Sequence, residues 1–248
     1  GITAIAARTY KRWGFGHGDR VCHGFPLFHV GGSGSSTPGS LIVGATTLPI
    51  YIFNARQALD ILERERCTGF IGVPSMLTAM MEEPDFASRD LSALQRIVVG
   101  GAAVPRPFLE RCEDTFGVPM LNGYGQTESC GVSASVKADD DAEKKTGTSG
   151  LAIEGVSLKV VDTKGQVLPC DTPGELCVDG PGKMLRYGDD AATEGAFDSD
   201  GWLRTGDVAT MDGEGYVTIV GRLKEMVIRG GENLYPAEIE AYLIEHPD

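Results

Sequence analysis

Asn122-Gly123-Tyr124-Gly125-Gln126-Thr127-Glu128 carries side chains and spacings suited to chemistry. Two glycines flank an aromatic ring, so the backbone can approach a flat ligand while the ring offers a stacking face. A hydroxyl and a carboxylate follow, groups able to hold a phosphate oxygen and a hard cation such as Mg²⁺. An ordinary glycine-rich turn with a surface glutamate accounts for the same residues. In Leu203-Arg204-Thr205-Gly206-Asp207 the aspartate could accept hydrogen bonds from the vicinal hydroxyls of a ribose, or simply order its own turn. Residues 221–233 gather Arg222, Lys224 and Arg229 beside Gly230-Gly231. Those cations could face a polyanionic ligand, or belong to a solvated linker. Residues 25–32 set His29 in an apolar run, where a packed histidine is the plainer reading.

Other chemistries lack their usual patterns. The sequence contains no GxGxxG, no GxxxxGK[ST], no GxSxG and no HExxH, and histidines 17, 23, 29 and 246 are not spaced as metal ligands.

The elements that must position these residues change character along the chain. Asn54 can cap a helix in which Ala55, Ala58, Leu59 and Leu62 repeat at helical spacing. Residues 70–73, 96–99 and 120–122 read as short strands. Ser75 is placed to cap a helix running to Met81, and residues 105–116 form another with Phe108, Leu109, Cys112 and Phe116 on one face. Alternation of this kind predicts an α/β subdomain, a mostly parallel sheet covered by helices, over residues 1–137. Residues 138–145, ADDDAEKK, read as a charged surface segment. Beyond them, strand-like runs at 157–161, 175–178, 208–211 and 216–220 are split by turn signals, with Asp212-Gly213-Glu214-Gly215 as a hairpin. Residues 138–223 are therefore expected to form a β-rich subdomain, a distorted barrel. Residues 224–248 are expected to be a hinge and the truncated start of a small α+β domain, with Ile239, Tyr242 and Leu243 on one helix face. The last helix would have nothing to pack on, so the chain reads as cut short there.

Of the 248 residues, 22 are Lys or Arg and 35 are Asp or Glu, a net charge of −13. Residues 1–137 carry 12 of each sign, so the whole excess lies beyond them, where 10 basic residues meet 23 acidic ones. With no basic stripe, nucleic-acid binding is not expected. The apolar-looking stretch 41–53 is broken by Gly44, Thr46, Thr47 and Pro49 and is too short to span a bilayer. Six cysteines without a CxxC pair point to reduced thiols and a cytoplasmic setting. Glycine, at 34 residues, is about twice its usual share of roughly 7%.

Taken together and in order, PLFHVGG (26–32), VPSM (73–76), GGAAVP (100–105), NGYGQTE (122–128), GWLRTGD (201–207) and GRLKEMVIRGGENLYPAEIE (221–240) resemble the adenylate-forming enzymes: acyl-CoA synthetases, aryl-CoA ligases, luciferases and adenylation domains. The resemblance implies that ATP and Mg²⁺ activate a carboxylic acid as an acyl-adenylate, and that coenzyme A then takes the acyl group. It places Gly123, Tyr124, Gly125 and Gln126 at the adenine, Thr127 at the α-phosphate and Glu128 at the Mg²⁺ ion. Asp207 and Arg222 would hold the ribose hydroxyls and Lys224 would be the hinge. His29, Gly100, Gly101 and Ala102 would border the acyl pocket, and Gly230 and Gly231 the coenzyme A tunnel. The GGENLYPAEIE segment looks most like free-standing acyl- or aryl-CoA ligases. Two departures stand out: the family's TSGTTGxPKG-type phosphate loop and its C-terminal catalytic lysine are absent from these residues. The reading is thus an internal fragment of a fatty- or aryl-acid CoA ligase, expected to be inactive alone. Its alternatives are a non-catalytic nucleotide-binding relative and an adenylation domain serving a carrier protein.

Overall fold

The computed structural model of the chain describes residues 1–102, 104–229, 232–236, 239 and 243. Helix α1 (Ile2–Arg12) leads into strand β1 (Arg20–His23). A π-helical segment, Gly31–Ser36, then runs into α2 (Thr37–Val43), which stops at Gly44 in a left-handed conformation. Next come β2 (Thr46–Pro49), α3 (Ala55–Arg64), β3 (Gly69–Gly72), α4 (Pro74–Met81), β4 (Arg96–Gly100), α5 (Arg106–Phe116) and β5 (Met120–Tyr124). Two short strands, β6 (Ala134–Ser135) and β7 (Leu151–Ala152), flank α6 (Ala142–Gly147).

These strands form one sheet in the order β2-β1-β3-β4-β5-β6-β7. The first five are parallel and the last two antiparallel. Side chains alternate across the sheet, so each strand feeds two cores. Phe70, Ile97 and Met120 pack with Leu59, Leu62, Leu77 and Leu109 of α3, α4 and α5. Their neighbours Ile71, Val98 and Leu121 pack on the other face with Tyr10, Trp13 and Phe15. Burial of each such side chain favours folding by roughly 1.5–3 kcal/mol.

The expected helices over 55–64 and 106–116 form with the expected faces buried, and Asn54 Oδ1 accepts from Gln57 N at 2.9 Å. Ser75 is not a cap. Pro74 is already the first helical residue, because its fixed φ suits that position and it has no N–H to lose, so the cap falls on Val73.

The composition break at residue 138 does not coincide with the end of the first sheet, since β7 lies beyond it. Residues 138–145 are more than a charged surface. Lys144 reaches Asp212 at 2.5 Å and Glu214 at 3.0 Å and lies over the Tyr216 ring, while Tyr216 Oη donates to Asp140 at 2.9 Å. The acidic segment thus clamps the 212–215 hairpin to the first sheet.

The second unit contains β8 (Ser157–Val161), β9 (Gly174–Asp179), β10 (Leu203–Met211) and β11 (Val217–Arg222), all antiparallel in the order β11-β10-β9-β8. The expected β-rich subdomain is this antiparallel sheet, and among the described residues no ladder joins β8 to β11. Strand β10 begins well before residue 208, taking in the Arg-Thr-Gly-Asp run that disguises it in the sequence. The expected C-terminal helix lies largely outside the described residues. No helix among those described is long and apolar enough to cross a membrane.

His23, at the end of β1, is fully buried with Nε2 3.2 Å from Thr37 Oγ1, and burial pushes its pKa down from 6.5 to about 4. Above about pH 6.5 the ring is neutral in both folded and unfolded chains, so its contribution is complete there. Below that, the unfolded chain takes up a proton that the folded chain refuses, and stability declines until the pH nears 4. The expected loss from this ring is about 2 kcal/mol at pH ~5. Denaturant unfolding of the wild type and His23→Gln should show the steeper decline between pH ~7 and ~5 in the wild type; parallel declines would reject the assignment.

Candidate active site

A cavity of about 640 Å³ opens beyond the carboxyl ends of β1, β3, β4 and β5. The chain passes from β1 outward to β2 and then back to β3, so the strand order reverses beside the opening, where open α/β sheets bind ligands. Part of its lining is apolar: Phe25, Ile71, Val73, Met76, Val98 and Val99. The same cavity is also lined by Gln126, Thr127, Glu128, Asp207, Arg222 and Lys224.

Backbone economy shapes the floor. Gly100 lies opposite Gly123 in the parallel register, and a β-carbon at 100 would stand 2.5 Å from Gly123 O. Gly125 is tighter still: a β-carbon there would overlap Gly131 O and lie 2.6 Å from that carbonyl carbon and 2.8 Å from Val132 Cα. Gly131 N donating to Gln126 O at 3.0 Å and Ser133 N to Tyr124 O at 2.8 Å hold this close approach. Gly101 has φ +78°, a left-handed conformation that favours glycine.

Asp207 ties the two sheets together. It is buried; its Oδ2 accepts from Tyr124 Oη at 2.7 Å, and its Oδ1 lies 3.2 Å from Arg222 Nε on the paired strand. Each carboxylate oxygen retains a second lone pair for a ligand. Burial, then the Asp207 charge and hydrogen bond, push the Tyr124 phenol well above its ordinary value, so it stays a donor. Glu128 is half-buried at the rim, and Tyr187 Oη donates to its Oε1 at 2.8 Å. Burial and this bond raise the Tyr187 phenol.

His29 also borders the cavity. Its ring stacks on Phe25 with centroids 5.8 Å apart, and its Nδ1 accepts from Gly31 N at 2.9 Å. Lys224 is exposed on the turn after β11, and Leu223 N donates to Gly206 O at 2.9 Å beside it. Gly100, Gly101, Gly123, Tyr124, Gly125, Gln126, Thr127, Glu128, Asp207, Arg222, Lys224 and His29 all line the one cavity; Ala102 stands just outside it, and Gly230 and Gly231 lie outside the described residues.

Several contributors escaped the sequence reading. Ser35 and Ser36 of the π-helical segment face the cavity, as do Trp13 and Thr205. A Gly-Gly-Ser-Gly-Ser-Ser run carries no helical periodicity of apolar residues, so nothing in it signalled a helix. Tyr187 and Glu175 gave one cue each: an aromatic in a polar loop, and an acid at the head of an otherwise apolar strand.

Comparison with known proteins agrees with this geometry. A family model described as AMP-binding enzyme matches residues 2–188. The indoleacetate–CoA ligase of Aromatoleum aromaticum is 42% identical over 230 residues, covering 93% of this chain and 45% of that protein. The human mitochondrial medium-chain acyl-CoA ligase ACSF2 is 38% identical over 226 residues, covering 90% of this chain and 37% of that protein. The chain thus spans less than half the length of either relative. Among solved structures, the O-succinylbenzoate coenzyme A synthetase of Bacillus subtilis, 32% identical, superimposes on 99% of this chain. Its complex with ATP and magnesium ion gives a TM-score of 0.87 over 50% of that structure, and its complex with an acyl-adenylate intermediate gives 0.88 over 49%. With the family match extending over most of its residues, the chain belongs to the AMP-binding enzymes.

Proposed function

We propose that these residues serve an ATP-dependent carboxylic acid–CoA ligase that works through an acyl-adenylate. The observation that carries the proposal is one cavity lined both by apolar side chains, Phe25, Val73 and Met76 among them, and by Asp207, Arg222, Thr127 and Glu128. The apolar lining receives the acid and the polar lining the nucleotide, so that carboxylate and α-phosphate meet in one cavity. The carboxylate oxygen attacks the α-phosphorus of ATP, the bond to the β-phosphate oxygen breaks, and pyrophosphate leaves. The thiolate of coenzyme A then attacks the activated carbonyl and AMP departs with the bonding pair. A carboxylate is a poor electrophile, so the residues contribute mainly by positioning and charge neutralisation.

In this reading Gly123, Tyr124, Gly125 and Gln126 border the adenine, and Asp207 with Arg222 holds the ribose hydroxyls. Thr127 meets the α-phosphate. Glu128 offers a hard oxygen to the Mg²⁺ that ATP brings with it. No cluster of three or more metal-binding side chains occurs among the described residues, which suits a cation held by phosphates and one carboxylate. His29, Gly100 and Gly101 border the acyl group, and Lys224 serves as the hinge toward the coenzyme A step. The apolar walls favour a fatty or aryl acid. All six cysteines are free thiols, which suits a reducing, cytoplasmic setting.

A panel of fatty and aryl acids, supplied to the full-length protein with ATP, Mg²⁺ and coenzyme A, tests the proposal. The expected outcome is pyrophosphate release with apolar acids and an acyl-CoA by mass spectrometry. Acyl-AMP without a coenzyme A thioester would reject the acceptor, and absence of any pyrophosphate release would reject the reaction.

A further inference from the structure

Asp207 does not sit on a regular strand. From Arg204 opposite Cys177 to Val208 opposite Glu175, β10 advances four residues while β9 advances two. The surplus is extruded as a bulge carrying Thr205, Gly206 and Asp207 toward the cavity. Gly206 has φ +72°, so the bulge is a defined conformation that needs an anchor.

That anchor is Glu175, a buried carboxylate on β9 that does not line the cavity. Its Oε1 accepts from Gly206 N at 3.2 Å, and its Oε2 accepts from Arg204 Nη2 at the start of the bulge. The bulge is then closed by Thr205 Oγ1, which donates to Leu176 O at 2.7 Å and accepts from Asp207 N at 3.1 Å. A buried carboxylate between an arginine and a backbone N–H is costly to leave unmatched, so both bonds hold the bulge in a single geometry.

We propose that Glu175 is a positioning residue for nucleotide recognition: it sets the Thr205–Gly206–Asp207 bulge so that Asp207 presents its carboxylate to the ribose hydroxyls. The inference rests on the ribose role proposed for Asp207 and adds to it a residue one layer deeper. Glu175 touches no ligand, and its effect reaches the ligand through the backbone of the bulge.

The test separates positioning from general weakening. Isothermal titration of the full-length protein with AMP and with 2′,3′-dideoxy-AMP gives the ratio of the two affinities. Two hydrogen bonds to a carboxylate make AMP the tighter ligand in the wild type by about 10²- to 10⁴-fold. Asp207→Ala should bring the ratio close to one. Glu175→Gln, which keeps the volume and hence the fold, and Glu175→Ala should each lower the ratio to below about threefold. Thermal unfolding of each variant establishes that it is folded. If Asp207→Ala collapses the ratio but folded Glu175→Gln keeps it, the positioning role is overturned while the ribose reading stands. An equal weakening of both ligands by Glu175→Gln, with the ratio unchanged, overturns it as well. If Asp207→Ala itself leaves the ratio at the wild-type value, the ribose reading fails, and the inference with it. Thr205→Val, which removes the hydroxyl that closes the bulge, is expected to lower the ratio in the same direction; an unchanged ratio there counts against the bulge as the transmitting element.

Discussion

Replacing Asp207 with alanine is expected to reduce acyl-adenylate formation by about 10²- to 10⁴-fold in the full-length protein. The carboxylate is buried between Tyr124 Oη and Arg222 Nε, and Asp207 lines the cavity. Two hydrogen bonds from a ribose to this charged group are worth about 1.5–3 kcal/mol each, and every 1.4 kcal/mol is a factor of ten. The fold should survive the change. The Arg222 side chain is 66% exposed and can be solvated without its partner. Asp207→Asn, which preserves shape and one acceptor oxygen but removes the charge, is expected to fall between alanine and wild type. ATP–pyrophosphate exchange at saturating acid is the measurement, and an alanine variant within about threefold of wild type would remove Asp207 from the nucleotide site.

The second large effect concerns Gly125, and it is an effect on the fold. A β-carbon at this position meets only main chain: the carbonyl of Gly131 and Cα of Val132. No rotamer change relieves a collision with main chain. Gly125→Ala must therefore push the 131–132 loop away and strain the bonds from Gly131 N to Gln126 O and from Ser133 N to Tyr124 O. The cost is expected to exceed about 3 kcal/mol, at the upper end for overpacking. In a chain of this size that lowers the melting temperature by about 6–12 °C or more. Gly123→Ala is the informative control. Its β-carbon would find its nearest neighbours at 3.6 Å from Ser135 Oγ and 3.8 Å from Ala134 O and Trp13 Cζ2, ordinary contact distances. That variant should melt near the wild type while losing nucleotide affinity, because residue 123 lines the cavity. Equal melting temperatures for the two variants would contradict the packing argument. The two glycines of one motif thus differ in packing: Gly125 admits the neighbouring loop, while a β-carbon at Gly123 meets only ordinary contacts.

The centre of the first sheet was legible in the sequence because its signals are local. Asn54 precedes a helix whose apolar residues recur at 3.6-residue spacing, and that helix forms as expected. Short apolar runs bounded by glycine or proline gave β3, β4 and β5 within a residue or two. The segment from Gly31 to Ser36 gave no such signal, since small residues without periodicity suit a loop as readily as a helix. The start of β10 was hidden for the opposite reason: Arg204, Thr205, Gly206 and Asp207 break the alternation of a strand because they bulge out of it.

The sequence by itself determined which side chains could recognise a nucleotide, and the order of its motifs identified the family they belong to. It could not tell a ribose-binding aspartate from one that orders its own turn, since both are an aspartate after a glycine. What tertiary structure adds is distance. Tyr124 and Asp207 are 83 positions apart in the chain, yet the end of β5 and the bulge of β10 bring their side chains to 2.7 Å. The same is true of Glu175, a strand residue as expected, whose carboxylate accepts from Gly206 N, 31 positions along the chain. Capping, periodicity and turn preferences act over a few residues and are written in adjacent letters. The approach of two sheets depends on packing summed over the whole chain, so it becomes visible only when the chain is folded.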